Sequence, residues 1–400
     1  MTTTRPDIIA AIHETIEIPD SAYETAEKRY KDVADWFGSG TARCKNYEPH
    51  ITPQGSFRIG TVIRPLTDEE EYDLDLSCQL ERGYSKTQHS QFELKTLVGQ
   101  DLEDYRVARR IEQAREEKNR CWRLRYMDQL KFHMDVVPCV PESAERRLAI
   151  REAMVRFGAH EALAKAVADL SVNITDRTLP NYRVIATDWP VSNPEGYARW
   201  FESRMKLATT LLERRAFEAR AATIDELPTY QWKTPLQRCI QLLKRHRDVM
   251  FAANPDAKPI SIIITTLAAR AYRGESELAA AMTGILAGME NLVQPAQPRV
   301  PNPVNPVEDF ADKWDTTDGR RLQLERHFRL WVAQAKADVA NLGKSSDPKF
   351  IAELAMARFR APLDQDELRR KFGIGFPSVV VPPRTVPITE PARPWRQGIG

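Results

Sequence analysis

Apolar residues recur along the first third of the chain at two different periods. Between Ser21 and Phe37, the residues Ala22, Tyr23, Ala26, Tyr30, Val33 and Phe37 stand mostly three and four positions apart. That spacing predicts a helix with one buried face, and Asp20 or Ser21 is placed to cap it. A polar stretch follows to about Pro49, and then the pattern shortens. Ile51 to Val62 and Tyr72 to Leu80 are β-prone runs, separated by the acidic loop Asp68-Glu69-Glu70-Glu71. Cys121 to Tyr126 and Phe132 to Val140 alternate apolar and polar residues, as half-buried strands do. Between the second and third runs, Ser90 to Lys118 predicts a helix. Residues 46–141 therefore read as a small mixed α/β unit.

After Pro141 the period becomes helical. Ala144 to Leu170, Pro194 to Arg220, Pro235 to Phe251, Pro259 to Tyr272 and Leu322 to Leu342 carry it, several opening on a proline that suits a first helical turn. Pro295 to Pro306 reads as an extended loop. The proline-rich stretch from Phe376 to Gly400 has little periodicity and reads as a mobile or surface-draped tail. No internal repeat is evident.

Composition changes this picture little. The chain has 400 residues, 42% hydrophobic and 28% charged, with a formal net charge of +2. That is a soluble, globular balance with room for two domains, and not the charge of a protein that coats nucleic acid. The five cysteines have no C-x-x-C spacing, which argues against a structural zinc site and suits a reducing compartment. The N-terminus lacks the apolar core of a signal peptide, and the run Ile260 to Ala269 is too short to span a bilayer. The expected location is the cytoplasm, with no membrane partner.

The chemistry begins at Tyr72-Asp73-Leu74-Asp75-Leu76. On a strand, Leu74 and Leu76 share one face, while Asp73 and Asp75 share the other. Two carboxylates so close repel, and one takes up a proton unless a cation sits between them. Mg²⁺ suits such a site, because it takes few carboxylates and keeps waters and substrate phosphates. An ordinary exposed strand face is the alternative. Upstream, Gln54-Gly55-Ser56 offers a glycine that lets a phosphate approach the backbone, and a hydroxyl donor; a plain turn is the alternative. No lysine follows at Walker spacing, so this is not a P-loop. Downstream, Asp135 interrupts the apolar run Phe132-His133-Met134-Asp135-Val136-Val137-Pro138. A carboxylate there needs a partner, either a metal or one of the nearby arginines.

Order strengthens the reading. A Gly-Ser turn, a D-x-D strand beginning seventeen residues after the serine and a third Asp on a later strand make one constellation. Three such carboxylates can hold two Mg²⁺ ions about 3.5–4 Å apart, for in-line phosphoryl transfer. At this point the chain resembles the polymerase-β-like nucleotidyltransferases. Two further segments narrow the resemblance. One is the helix Leu242-Leu243-Lys244-Arg245-His246-Arg247-Asp248 with Lys258-Pro259-Ile260-Ser261; the other is Asn302-Pro303-Val304-Asn305-Pro306. With these, residues 20–375 resemble the bacterial CD-NTases, the cGAS/DncV-like enzymes of CBASS anti-phage operons.

The resemblance implies an α+β fold: a nucleotidyltransferase palm with a mixed sheet, and a helical C-terminal lobe across a cleft. It implies an N-terminal segment at 1–45 packing across both lobes, a catalytic core at 46–225, a helical lobe at 226–375 and the tail at 376–400. The implied activity joins nucleoside triphosphates, ATP among them, into a cyclic di- or trinucleotide second messenger that acts through a downstream effector. Gln54, Gly55 and Ser56 would bind the donor triphosphate, while Asp73, Asp75 and Asp135 would hold two Mg²⁺ (or Mn²⁺). Asp135 would also help deprotonate the attacking hydroxyl. Lys244 and Ser261 would touch the triphosphate from the helical lobe, a solvated charge and a helix cap being the alternatives.

Ile262 stands where the related animal enzyme has a base-stacking tyrosine, and no zinc-ribbon motif is present, which argues against a nucleic-acid activator. Linear or RNA-tailing synthesis, with the basic stretch Arg106 to Lys131 as a groove, and a non-catalytic nucleotide-binding module are the competing readings. The terminal Gly400 resembles the substrates of E1/E2-like conjugating enzymes in such operons.

Overall fold

The computed structural model describes residues 6–67, 69–127, 130–208 and 233–372. Two helices open the chain, α1 (Pro6–Ile16) and α2 (Asp20–Gly38). The α2 helix matches its apolar period, but neither candidate caps it: Pro19 is the N-cap and no side chain closes the first turn. Strand β1 (Pro49–Gln54) is shorter than its β-prone run, because Gly55 takes a positive φ and opens the short helix α3 (Gly55–Arg58).

Strand β2 (Tyr72–Leu80) has the expected bounds. Helix α4 (Gln91–Ala108) starts on a capping box made by Ser90 and Glu93. It ends ten residues before Lys118, where Arg110 adopts a left-handed conformation and the chain turns into β3 (Glu116–Glu117). Strands β4 (Trp122–Tyr126) and β5 (Phe132–Pro141) follow. The expected helix from Ala144 to Leu170 is two, α5 (Ala144–Arg156) and α6 (Glu161–Ala168), parted at Gly158 with φ +89. Strands β6 (Val172–Ile174) and β7 (Val191–Ser192) lead into α7 (Pro194–Met205). A 3-10 turn at Lys206–Ala208 continues it, and the Pro194–Arg220 prediction beyond 208, with the 225/226 boundary, lies outside the described residues.

The sheet runs β1-β2-β5-β4-β3, with β6 on β5 and β7 on β6. Only β2 and β5 are parallel; the other pairings are antiparallel. On β2 the even positions Leu74, Leu76, Cys78 and Leu80 are buried. They share a core with Met134 and Val136 of β5, Leu94, Val98 and Leu102 of α4, and the apolar stripe of α2. Each such leucine contributes roughly 1.5–3 kcal/mol by leaving water. That core fixes the register and leaves the odd face of both strands free for polar side chains.

A second core gathers the helices α8 (Pro235–Met250), α9 (Ser261–Ala271) and α10 (Leu278–Met289). The hairpin β8 (Pro301–Asn302) and β9 (Asn305–Asp309) follows, within and just beyond the segment read as an extended loop. Then come α11 (Thr317–Arg321), α12 (Leu324–Lys344), α13 (Pro348–Phe359) and α14 (Gln365–Phe372). Ile8, Ile12 and Ile16 of α1 join this helical core, whereas α2 joins the sheet core. Residues of α5, α6 and α7 also pack into the helical core, although the expected boundaries assign them to the catalytic unit. No described helix is long and apolar enough to cross a membrane. All five cysteines are free and buried. The tail and Gly400 lie outside the described residues.

Candidate active site

Register places the carboxylates. The parallel pairing of β2 with β5 sets Asp75 beside Asp135 and Asp73 beside His133, all on the odd face. Gly55, at the end of β1, lies directly against this face. With φ +64, and with Asp75 Oδ2 where a Cβ would stand, no other residue fits there without displacement. The glycine thus brings the Gly55-Ser56 turn onto the D-x-D strand.

Charge in this cluster is compensated at two of the three carboxylates. Arg123 on β4, opposite Asp135 in register, donates Nε and Nη2 to the two carboxylate oxygens at 2.6 and 2.7 Å. His133 Nε2 lies 2.9 Å from Asp73 Oδ1, and its Nδ1 is 3.0 Å from Glu71 Oε2. Burial tends to lower the His133 pKa, but the hydrogen bond and charge of Asp73 bring it out above the usual range. Asp75 has no such cation. Burial, with Asp73 and Asp135 nearby, pushes its carboxyl up to about 8.

The atoms best disposed to share one cation belong to Asp73, His133 and Asp135, whose ligand atoms lie within 4.8 Å of one another. This differs from the expected trio in including His133 and not Asp75. Both alternatives foreseen for Asp135, an arginine partner and a metal, have their residues in place. The donor set fits a divalent ion: two carboxylates and an imidazole converge, and Asp75, whose carboxyl burial and the charges of Asp73 and Asp135 push up, stands beside them.

Across from the carboxylates, α8 stands on a capping box of Thr234 and Gln237 with Pro235 in its first turn. One face of it grips the backbone just after α3. Gln237 Nε2 donates to the Ile59 carbonyl at 3.0 Å, Gln241 Nε2 to Val62 at 2.6 Å and Lys244 Nζ to Thr61 at 2.9 Å, and Arg245 donates to Arg64. Lys244 is buried, not a solvated charge. Burial, with Arg247 adjacent, lowers its pKa to about 8. Ser261 is the first residue of α9 and makes no cap; its hydroxyl accepts from Arg247 Nη1 at 2.8 Å.

These groups surround one cavity of about 350 Å³, lined by Gly55, Ser56, Asp73, Asp75, Lys244 and Ser261. Asp135 and Gln54 are not on its wall; the Gln54 amide turns back to the Leu76 carbonyl at 3.4 Å. The wall also carries residues that the sequence reading passed over. Arg58, buried, holds Glu195 at 3.0 Å and Glu202 at 2.7 Å and so ties α3 to α7. Asn193, Tyr197, Asn302, Glu308 and Phe310 come from the start of α7 and from the β8–β9 hairpin. The Gly-Ser-Phe-Arg run and the Asn-Pro-Val-Asn-Pro segment were visible signals, but neither told which side chains would face inward.

Residues 49–138 match the family model for the nucleotidyltransferase domain of cyclic GMP-AMP synthase DncV-like proteins. A c-di-GMP synthase of Roseivirga ehrenbergii is 32% identical over 289 residues, which is 72% of this chain and 66% of that protein. Residues 49–138 are thus a CD-NTase nucleotidyltransferase domain. A cyclic dinucleotide synthase of Bradyrhizobium diazoefficiens, CdnG, is 23% identical over 68% of this chain and 60% of its own length. The chain thus spans about 66% and 60% of these two curated relatives. The structure of CdnG in complex with GTP superposes with a TM-score of 0.60 at 18% identity, covering 88% of this chain and 93% of that one. The α+β fold of the chain is therefore that of a polymerase-β-like nucleotidyltransferase.

Proposed function

We propose that this protein is a CD-NTase that condenses nucleoside triphosphates into a cyclic di- or trinucleotide, with release of pyrophosphate. The observation that carries the reading is the meeting of Gly55, Ser56, Asp73, Asp75, Lys244 and Ser261 around one cavity, from four separated stretches of chain. The two curated relatives are named for cyclic dinucleotide synthesis, which favours a ring of two.

In each cycle a ribose hydroxyl oxygen forms a bond to the α-phosphorus of a triphosphate. The bond from that phosphorus to the β-phosphate bridging oxygen breaks, and pyrophosphate leaves. A second such step closes the ring. Gly55 and Ser56 receive the triphosphate, the glycine by leaving the backbone open and the serine by donating its hydroxyl. Lys244 and Ser261 meet it from the helical side. A buried ammonium beside phosphate gains charge-assisted hydrogen bonds, which favour its protonated form. Asp73, Asp75, Asp135 and, by position, His133 are the residues to hold Mg²⁺ or Mn²⁺. When bound, such ions supply charge stabilisation at the attacking and leaving oxygens. Asp135, which stands beside Asp75 in register but behind the cavity wall, would accept the hydroxyl proton once Arg123 releases one of its oxygens.

Antiviral signalling of the CBASS kind, through an effector that reads the product, belongs to the same proposal, as does conjugation at Gly400. Less supports the RNA-tailing alternative, although Arg109, Arg110 and Arg125 line a separate open cavity. Arg106, Arg109, Lys118, Arg120, Arg123 and Arg125 of the basic stretch are all paired with carboxylates. The test is to incubate the protein with the four triphosphates and Mg²⁺, without RNA. A phosphatase-resistant cyclic product supports the reading. No cyclic product there, together with extension of RNA in a parallel reaction that contains it, overturns the reading.

A further inference from the structure

The β8–β9 hairpin brings a carboxylate into the nucleotide cavity at a place where the metal cluster does not use it. Glu308 lines the cavity but is not among the described groups whose ligand atoms converge with Asp73. Its surroundings are constructed. The Asn302 side chain is buried and donates Nδ2 to Glu308 Oε2 at 2.7 Å, while its own Oδ1 accepts from the Val304 amide at 3.0 Å. Asn302 is thus fixed at both ends and holds the glutamate in place. Apolar surface stands beside it: Phe310 from the end of the same hairpin, with its ring 6.2 Å from that of Tyr197, and Ile262 from α9, all on the same cavity wall. Tyr197 turns its hydroxyl away, to Thr266 Oγ1 at 2.9 Å. An acceptor-only group in a cavity that also carries aromatic and aliphatic side chains suits the edge of a nucleobase.

The four bases differ in what they offer a carboxylate. Guanine presents two adjacent donors, N1–H and the N2 amino group. Adenine and cytosine each present one amino donor beside an unprotonated ring nitrogen, and uracil presents one N–H between two carbonyls. An ionised carboxylate only accepts. It therefore pairs fully with guanine alone and faces repulsive lone pairs on the other three. We propose that Glu308, held by Asn302, is the residue that selects guanine in this cavity, so that GTP is one of the substrates. This inference rests on the reading of the cavity as a nucleotide site and names which base that site takes. Burial leaves the Glu308 carboxyl above its usual range even with Asn302 donating to it. The two guanine donors supply what the ionised form lacks there.

Two measurements test it. In the first, wild type and Glu308→Gln each receive equal concentrations of the four triphosphates with Mg²⁺, and the consumption of each is followed by chromatography. Glutamine replaces one acceptor with a donor, so the GTP-to-ATP consumption ratio should fall roughly ten- to a hundredfold, the worth of a charged hydrogen bond. In the second, which needs no variant, wild type is offered inosine triphosphate in place of GTP. Loss of the N2 donor should slow its consumption about tenfold or more. An unchanged GTP-to-ATP ratio in a folded Glu308→Gln protein, or equal use of inosine triphosphate and GTP by wild type, overturns the assignment while leaving the enzyme reading intact. Wild type that consumes no triphosphate at all overturns the enzyme reading beneath it.

Discussion

The two walls of the cavity handle charge in opposite ways. The sheet wall concentrates negative charge and compensates it piecemeal, with Arg123 on Asp135, His133 on Asp73 and a retained proton on Asp75. The helical wall buries cations, Lys244, Arg245 and Arg247, and Lys244 donates to a neutral backbone carbonyl, that of Thr61. The sheet wall is short of cations, and Lys244 opposite has a carbonyl where an anion would suit it better, whereas Arg247 is already paired with Asp248. A magnesium-bound triphosphate supplies both, which is why the comparison points to a substrate and not merely to a metal.

The largest effect should come from dismantling the sheet wall. Asp73→Asn, Asp75→Asn and Asp135→Asn should each take product formation below detection while the circular dichroism spectrum stays that of wild type. Gly55→Ala should do the same, since its Cβ would displace Asp75. Near-normal activity in any one of the four removes that residue from the account.

On the helical wall, Lys244→Ala should lower kcat/KM for the triphosphate roughly ten- to a hundredfold. Unchanged kinetics would return Lys244 to a purely structural role as the clamp on Thr61.

The contrast in charge also predicts a pH signature in metal-free protein. Asp75 keeps its proton up to about pH 8 when folded, but loses it near 4 when unfolded. Between those values the folded state holds the extra proton, so this residue makes stability fall as pH rises through the window. Asp75→Asn removes the effect. It should raise the melting temperature of metal-free protein at pH 8 and leave it nearly unchanged at pH 4. A variant that is equally or less stable at pH 8 would contradict the strained-carboxylate reading.

The smallest effect tests the α8 clamp. Gln241→Leu leaves the Val62 carbonyl without its donor and should cost about 1–3 kcal/mol in denaturant unfolding, a typical unmet buried hydrogen bond. Loss of activity as large as that of Lys244→Ala, with stability intact, would mean that the clamp positions the Gly55-Ser56 turn and does not merely hold the core.

The sequence showed the sheet wall more fully than the helical one. Alternation along Tyr72–Leu80 put Asp73 and Asp75 on one face by period alone, and the β2–β5 register then set Asp135 beside them. His133 was missed, and which arginine would pair with Asp135 was left open, because their roles depend on cross-strand neighbours that a single strand does not display. On the helical wall, Lys244 and Ser261 were reachable only through resemblance, since α8 uses nearly every side of its surface in burial. Glu308 was hidden for another reason. Its hairpin carries prolines at Pro301, Pro303 and Pro306, so it has none of the usual strand signals.

The most direct test of the whole account is mass spectrometry of phosphatase-treated product from wild type and Asp75→Asn, each incubated with the four triphosphates and Mg²⁺. The account predicts a cyclic dinucleotide or trinucleotide and free pyrophosphate from wild type, and neither from the variant. Wild type that yields no cyclic product, or a variant that yields as much as wild type, would contradict it.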